Sequence, residues 1–236
     1  MDFSLQTLGY AFIGGLLPSL IWLYFLLKED SRCPEPRKLI ALAFLSGMIA
    51  VPIALPLEQY VQHANLPGFQ VLVGWATIEE VLKYLAAAIF ILWRSAVDEA
   101  PDYVIYMLTV ALGFAAAENM LFLLSPLASG HLFTGLMTDD LRFVGSTLLH
   151  VLASSAVGFA LAFSMSWGPS ARAAAAGTGV ILAIVLHTAF NALIMKASGS
   201  AALTAFFLVW SVAVVFFAAF EVLKYLQYRG KPKNVC

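Results

Sequence analysis

An all-α, polytopic membrane protein of about seven transmembrane helices is the fold this sequence predicts. Three observations carry the prediction. First, 61% of the 236 residues are hydrophobic and only 11% are charged, which leaves no material for a sizeable soluble domain. Second, the apolar residues fall into seven runs, each near the ~20 residues that a helix needs to cross a bilayer. Third, the basic residues between the runs gather on alternate connections, as they do when cytoplasmic loops hold them. The net charge of −1 selects no partner class. The lipid bilayer is the expected surroundings, and no nucleic-acid partner is expected.

The first run, Leu5–Leu27, lacks the basic flank and small-residue cleavage site of a signal peptide and is read as a retained helix. A short charged loop follows, stiffened by Pro34 and Pro36. The second run is Leu39–Leu57, and Glu58–Gln70 reads as a polar loop. The third is Val71–Trp93 and the fourth Tyr103–Leu124, with a charged loop between them. Ser125–Arg142, with His131, Asp139 and Asp140, reads as a solvated loop. The fifth run is Phe143–Ser166, Trp167–Ala173 is a turn, and the sixth is Ala174–Met195. Leu203–Leu226 is the seventh, ending in a basic tail. No internal repeat or domain boundary interrupts the chain, so residues 1–236 read as a single integral-membrane domain.

Orientation follows from the cations. Lys28, Arg32, Arg37, Lys38, Arg94, Arg172, Lys224, Arg229, Lys231 and Lys233 fall on one face, against Arg142 and Lys196 on the other. The N-terminus is therefore expected outside and the C-terminus in the cytoplasm. Cys33 and Cys236, the two cysteines, would both face the cytoplasm, where a disulfide is not expected.

Within the third run stands Trp75-Ala-Thr-Ile-Glu79-Glu80-Val-Leu-Lys83-Tyr84. Each charge near a membrane centre costs roughly 2.5–3.5 kcal/mol. Helical spacing lowers the cost, because Lys83 is i+4 from Glu79 and i+3 from Glu80. Ala76, Glu79, Glu80, Lys83 and Ala87 then form one stripe. An ion pair that only fixes helix packing would account for one glutamate. The second carboxylate points to a functional site.

Depth brings other residues to the same level. At 1.5 Å per residue, Glu79 lies about 12 Å below the outer end of its run and Glu118 about 9 Å. His150 lies about 10 Å below its outer end and His187 about 12 Å. Alone, Glu118 could be a packing donor, His150 interhelical glue with Ser146 and Ser154, and His187 a partner of Asn191 one turn on. Together they indicate one site in the outer half of the membrane.

The chemistry on offer there is hydrolytic. A buried carboxylate can act as general base on water. A histidine can share that water or protonate a leaving amine, and an asparagine N–H can stabilise an oxyanion. Alternatively, Glu79, Glu118, His150 and His187 could hold zinc, which would activate the water itself. The adjacent Lys83 opposes a dication, so the metal-free account is the expectation. No H-E-x-x-H, G-x-S-x-G or intramembrane aspartate pair occurs.

Pro34-Glu35-Pro36, then Glu79-Glu80-x-x-Lys83, Phe114-x-x-x-Glu118-Asn119, His150 and His187-x-x-x-Asn191 follow one another between about residues 18 and 195. In that order they resemble the PrsW family of bacterial intramembrane proteases, itself similar to the clan of CAAX-prenyl-protease-like membrane enzymes. The clan usually shows Glu-Glu-x-x-x-Arg and Phe-x-x-x-His. Here Lys83 comes one residue earlier and the second motif ends in Glu118, which fits PrsW better. The resemblance implies a protease domain with catalytic helices within 71–195 and a site of Glu79, Glu80, Glu118, His150, His187 and Asn191, with Glu79 as general base or principal ligand, Glu80 tuning it and bonded to Lys83, and Lys83 as structural ion pair. It implies an address in the bacterial cytoplasmic (inner) membrane. It also implies a single-span membrane-protein substrate such as an anti-sigma factor, cut on its extracytoplasmic side as the first step of a stress response.

The rival reading is an ion- or proton-coupled transporter, because buried Glu, Lys and His also build proton relays. The lack of an internal repeat and of paired Gly/Pro-broken runs speaks against it. A non-catalytic scaffold would have no reason to keep the full polar set.

Overall fold

A computed structural model describes residues 4–30, 32–128, 132–196 and 200–230, with no side chains described at 132–144, 194–196, 200–203 and 205–206. Seven helices follow in order: α1 Leu5–Glu29, α2 Arg37–His63, α3 Gly68–Phe90, α4 Ala100–Ala128, α5 Leu132–Phe163, α6 Pro169–Lys196 and α7 Ser200–Tyr228. No strand occurs among the described residues.

Six of the helices are long and apolar enough to cross a membrane. The exception is α3, where Glu79, Glu80 and Lys83 lie within 23 residues. Those charges face inward with Ala76, Ala86 and Ala87, and all six residues are buried. The seven expected helices are all present, and α3 differs from the other six in carrying a polar stripe that is buried against its neighbours.

α4 is the axis of the bundle. Residues 101–116 are buried without interruption, because α1, α2, α3, α5 and α7 all pack on it. A helix surrounded in this way has no polar face to show, and its sequence is apolar all round. The tightest crossing is α2 on α4. There a Cβ on Gly113 would run into the Phe44 carbonyl and one on Gly47 into the Val110 carbonyl. Backbone-to-backbone approach of this kind is what small residues allow in membranes. α3 leans on α2 and α6, and α5 fills the space between α4 and α6.

Two expected loops are largely helical. α2 continues through Pro52 and Pro56 to His63, and only residues 64–67 connect it to α3, with Asn65 in the left-handed region at φ 52°. Asparagine tolerates that conformation better than most residues. The backbone of α5 begins at Leu132, and α6 begins at Pro169 inside the expected turn. The side chains of Asp139, Asp140 and Arg142, and His131 as a whole, lie outside the described residues.

The loop between α1 and α2 docks on α4 and the end of α7. Tyr106 donates its hydroxyl to Glu35, the Glu35 N–H donates to Asp30 Oδ2 at 3.3 Å, and the Arg32 guanidinium lies 4.2 Å from the Tyr228 ring centroid. Burial pushes the Asp30 carboxyl up to about 7, and burial likewise raises that of Glu35. The loop therefore braces α1 and α2 through α4, on which both helices pack. Cys33 is disulfide-bonded, contrary to the expectation of a free thiol. Cys236 lies outside the described residues.

Candidate active site

α3, α4, α5 and α6 bring five of the six expected site residues and Lys83 into one cluster of hydrogen bonds and ion pairs. Lys83 is its hub and is fully buried. Its Nζ donates to Glu80 Oε1 at 2.6 Å and to His150 Nδ1 at 2.7 Å, and it lies 4.5 Å from the Phe114 ring centroid. Glu79 Oε2 is 3.7 Å away, too far for a hydrogen bond. Spacing along α3 allows either glutamate to reach the ammonium, and the tertiary structure gives it to Glu80.

Both histidine tautomers follow from their partners. An ammonium has no acceptor, so His150 Nδ1 accepts from Lys83 and Nε2 carries the proton. That proton is donated to Glu118 Oε2 at 2.6 Å, to which Ser146 Oγ also donates at 3.4 Å. His187 is the opposite case. Its Nδ1 faces the acceptor-only Oε1 of Glu80 at 2.7 Å and must carry the proton. Its Nε2 is left bare and lies 3.7 Å from Glu79 Oε2. The two rings meet edge to face with centroids 5.2 Å apart.

Glu79 Oε2 is the exception in a network of satisfied groups. It is buried with no hydrogen-bond partner, 3.7 Å from Lys83 Nζ, His150 Nδ1 and His187 Nε2 alike. Leaving such a group unsatisfied costs about 1–3 kcal/mol, more if it is charged. Three nitrogens at just over hydrogen-bond distance suit a bridging water or a reacting group. Of the acids in the network, Glu118 is the one with appreciable exposure, at 22% of its side chain, so the cluster reaches the surface of the bundle on its side.

Asn191 is not joined to the network. It is half-buried one turn beyond His187 and makes no hydrogen bond among the described residues. Asn119, the neighbour of Glu118, donates to Thr147 Oγ1 at 3.0 Å and ties α4 to α5. Three contributors were not singled out from the sequence for the parts they take here. Ser154 Oγ donates to Glu80 Oε2 at 2.9 Å, and Phe114 covers Lys83. Glu58, expected in a loop, stands on α2 within electrostatic reach of Glu79, and its carbonyl accepts from Trp75 Nε1 at 3.2 Å. The i+4 spacing of Ser154 from His150 was the signal available for the serine.

Glu79, His150 and His187 each offer a ligand atom within 4.8 Å of the other two. They could hold a metal ion only with Lys83 displaced. His150 Nδ1 is already engaged by Lys83, whose ammonium also stands 3.7 Å from Glu79 Oε2. A dication would have to displace a like charge to gain its third ligand. Glu118, the fourth candidate, is outside this group, on the other ring nitrogen of His150.

A polytopic membrane protein with an unpartnered carboxylate oxygen and an imidazole nitrogen facing each other inside its bundle has the groups that acid–base chemistry within a membrane requires. The comparison with known proteins names the family. A model described as "PrsW family intramembrane metalloprotease" matches residues 35–220, and the chain belongs to the PrsW family of intramembrane proteases. It is similar to Protease PrsW of Geobacillus kaustophilus (strain HTA426), 30% identical over 150 residues, covering 61% of this chain and 62% of that protein. It is 26% identical to Protease PrsW of Clostridioides difficile (strain 630), covering 78% and 79%. Protease PrsW of Bacillus subtilis (strain 168) is 24% identical, covering 75% and 79%. No solved structure matches the chain. With six candidate spans and bacterial relatives, this is a multi-pass protein of the bacterial cytoplasmic (inner) membrane.

Proposed function

We propose that residues 1–236 form an intramembrane endopeptidase in which Glu79 is the general base and no metal takes part. The observation that carries this reading is the unpartnered Oε2 of Glu79, 3.7 Å from the bare Nε2 of His187. A water between them donates one proton toward each acceptor, which turns its lone pair toward an incoming carbonyl carbon. Attack forms the new C–O bond. Glu79 takes the water proton and delivers it to the leaving nitrogen as the C–N bond breaks. Asn191, whose amide has no other hydrogen bond among the described residues, is the donor assigned to the oxyanion. Glu80 orients His187, and Lys83 balances Glu80. His150 holds Lys83 and Glu118 in register. Glu118 lines the way in for water.

The positive-inside distribution supports an N-terminus outside and a C-terminus in the cytoplasm. The cluster then lies in the outer half of the membrane. A substrate cut there is a single-span membrane protein such as an anti-sigma factor, hydrolysed near its extracytoplasmic end. The family's description as metalloproteases names the competing mechanism. Both are tested on purified protein in liposomes with a single-span substrate, with metal content and cleavage measured before and after chelation. Cleavage that persists without metal, and that is abolished by Glu79→Gln in a protein still inserted, is the expected result. Stoichiometric zinc whose removal abolishes cleavage would overturn the metal-free mechanism.

A further inference from the structure

We propose that Ser154 is a positioning residue: from α5 its hydroxyl holds the Glu80 carboxylate in the plane that keeps the bare Nε2 of His187 aimed at Glu79. This inference rests on reading the cluster as a hydrolytic centre.

The two oxygens of Glu80 have separate tasks. Oε1 receives both Lys83 Nζ at 2.6 Å and His187 Nδ1 at 2.7 Å. Oε2 receives Ser154 Oγ alone, at 2.9 Å. Two donors on one oxygen leave a carboxylate free to swing about that oxygen. A donor on the second oxygen removes the freedom. If the plane turns, the lone pair that meets His187 Nδ1–H turns with it, and the imidazole follows. The atom displaced most is the far ring nitrogen, which is the one that faces Glu79.

The serine's own alternatives strengthen the case. A buried helical serine ordinarily returns its proton to a carbonyl in the preceding turn. Ser155, the next residue, does so to Leu152 at 2.5 Å, Ser46 to Ala43 at 2.8 Å and Ser164 to Leu161 at 3.2 Å. Ser154 is equally buried and instead spends its proton on a carboxylate of α3. It lies one turn from His150, so one face of α5 sets both histidines. His150 is set directly, and His187 through Glu80.

The test compares S154A and S154T with wild type, reading kcat and KM on a single-span substrate, melting temperature, and the ¹⁵N resonances of labelled histidine. S154A should lower kcat about tenfold, as expected for one lost hydrogen bond to a charged group. KM should stay near wild type, melting temperature should fall by no more than the loss of one buried donor implies, and the Nδ1–H signal of His187 should give way to a mixture of tautomers. S154T, which keeps the hydroxyl, should restore both kcat and the tautomer. Should its added methyl unfold the protein, S154C keeps a weak donor without that bulk and should fall between alanine and wild type. Wild-type kcat and an unchanged tautomer in S154A would overturn the proposal. So would a loss of activity that merely follows a loss of stability and is not rescued. If wild type cleaves no membrane substrate, the hydrolytic reading fails, and the tautomer measurement still decides what Ser154 positions.

Discussion

Oε2 of Glu79 and Nε2 of His187 face each other at 3.7 Å across the interior of the bundle, neither hydrogen-bonded among the described residues. The pair is held by its outer partners, Glu80 behind His187 and the helix backbone behind Glu79, and it awaits a donor between them.

His187 and His150 should therefore differ on substitution. His187→Ala removes the imidazole that shares the water and should slow cleavage by about 10²–10³, in the range found when one preorganised polar partner is lost. Bound metal should not change. Zinc in active wild type that disappears together with activity in His187→Ala would transfer the histidine to a metal site. His150→Ala should instead lower stability as well as rate, because Lys83 loses an acceptor and Glu118 a donor.

Lys83 is structural in this arrangement. Lys83→Met leaves Glu80 buried without its countercharge, a change that costs about 3–5 kcal/mol for a broken buried pair. Folded protein and activity should be lost together, as read by detergent-solubilised yield and melting. A well-folded but inactive Lys83→Met protein would assign the lysine to the chemistry.

Gly113→Ala tests the α2–α4 crossing. The new methyl meets the Phe44 carbonyl, which cannot retreat without moving α2. Overpacking of this kind costs about 1–3 kcal/mol. A lower melting temperature is expected, with cleavage reduced only as far as stability falls.

Asp30 makes stability depend on pH. Its carboxyl sits at about 7 in the folded protein against 3.8 for the free side chain, so the folded state holds the proton more tightly than the unfolded one. Stability from this group is complete below about pH 4 and declines as pH rises to about 7. Asp30→Asn should flatten that part of the profile and raise the melting temperature near pH 8. An unchanged slope between pH 4 and 7 would show that another group governs it.

Topology is open to direct labelling. With the N-terminus outside, Asn65→Cys, in the connection before α3, should react with a membrane-impermeant thiol reagent in intact cells. Ser95→Cys, after α3, should react only once cells are opened. The reverse pattern would move the catalytic level to the inner leaflet.

Much of the architecture was legible in one dimension because a bilayer imposes a simple rule. A backbone in hydrocarbon must bond to itself, so long apolar runs are helices wherever they occur. Run length and the Glu79, Glu80, Lys83 stripe thus yielded the bundle, its order and the inward face of α3. The common depth of Glu118, His150 and His187 followed from rise per residue alone. Polar ends escape this rule. Glu58–His63 and residues 132–142 are helical in the structure although their composition reads as loop, because neighbouring turns and packing can extend a helix beyond its apolar stretch.

What only the tertiary structure decided is who bonds to whom. Along α3, Lys83 is within helical reach of both glutamates; the family resemblance assigns it to Glu80, but spacing alone names none of the groups that hold it there. Those groups are remote in the chain. His187 and Ser154 bring donors to Glu80, His150 draws the ammonium to its own side, and Glu79 is left with a bare oxygen. Depth is a property of each helix separately, whereas rotation about each helix axis, and with it the direction of every hydrogen bond, is set by packing against all the others.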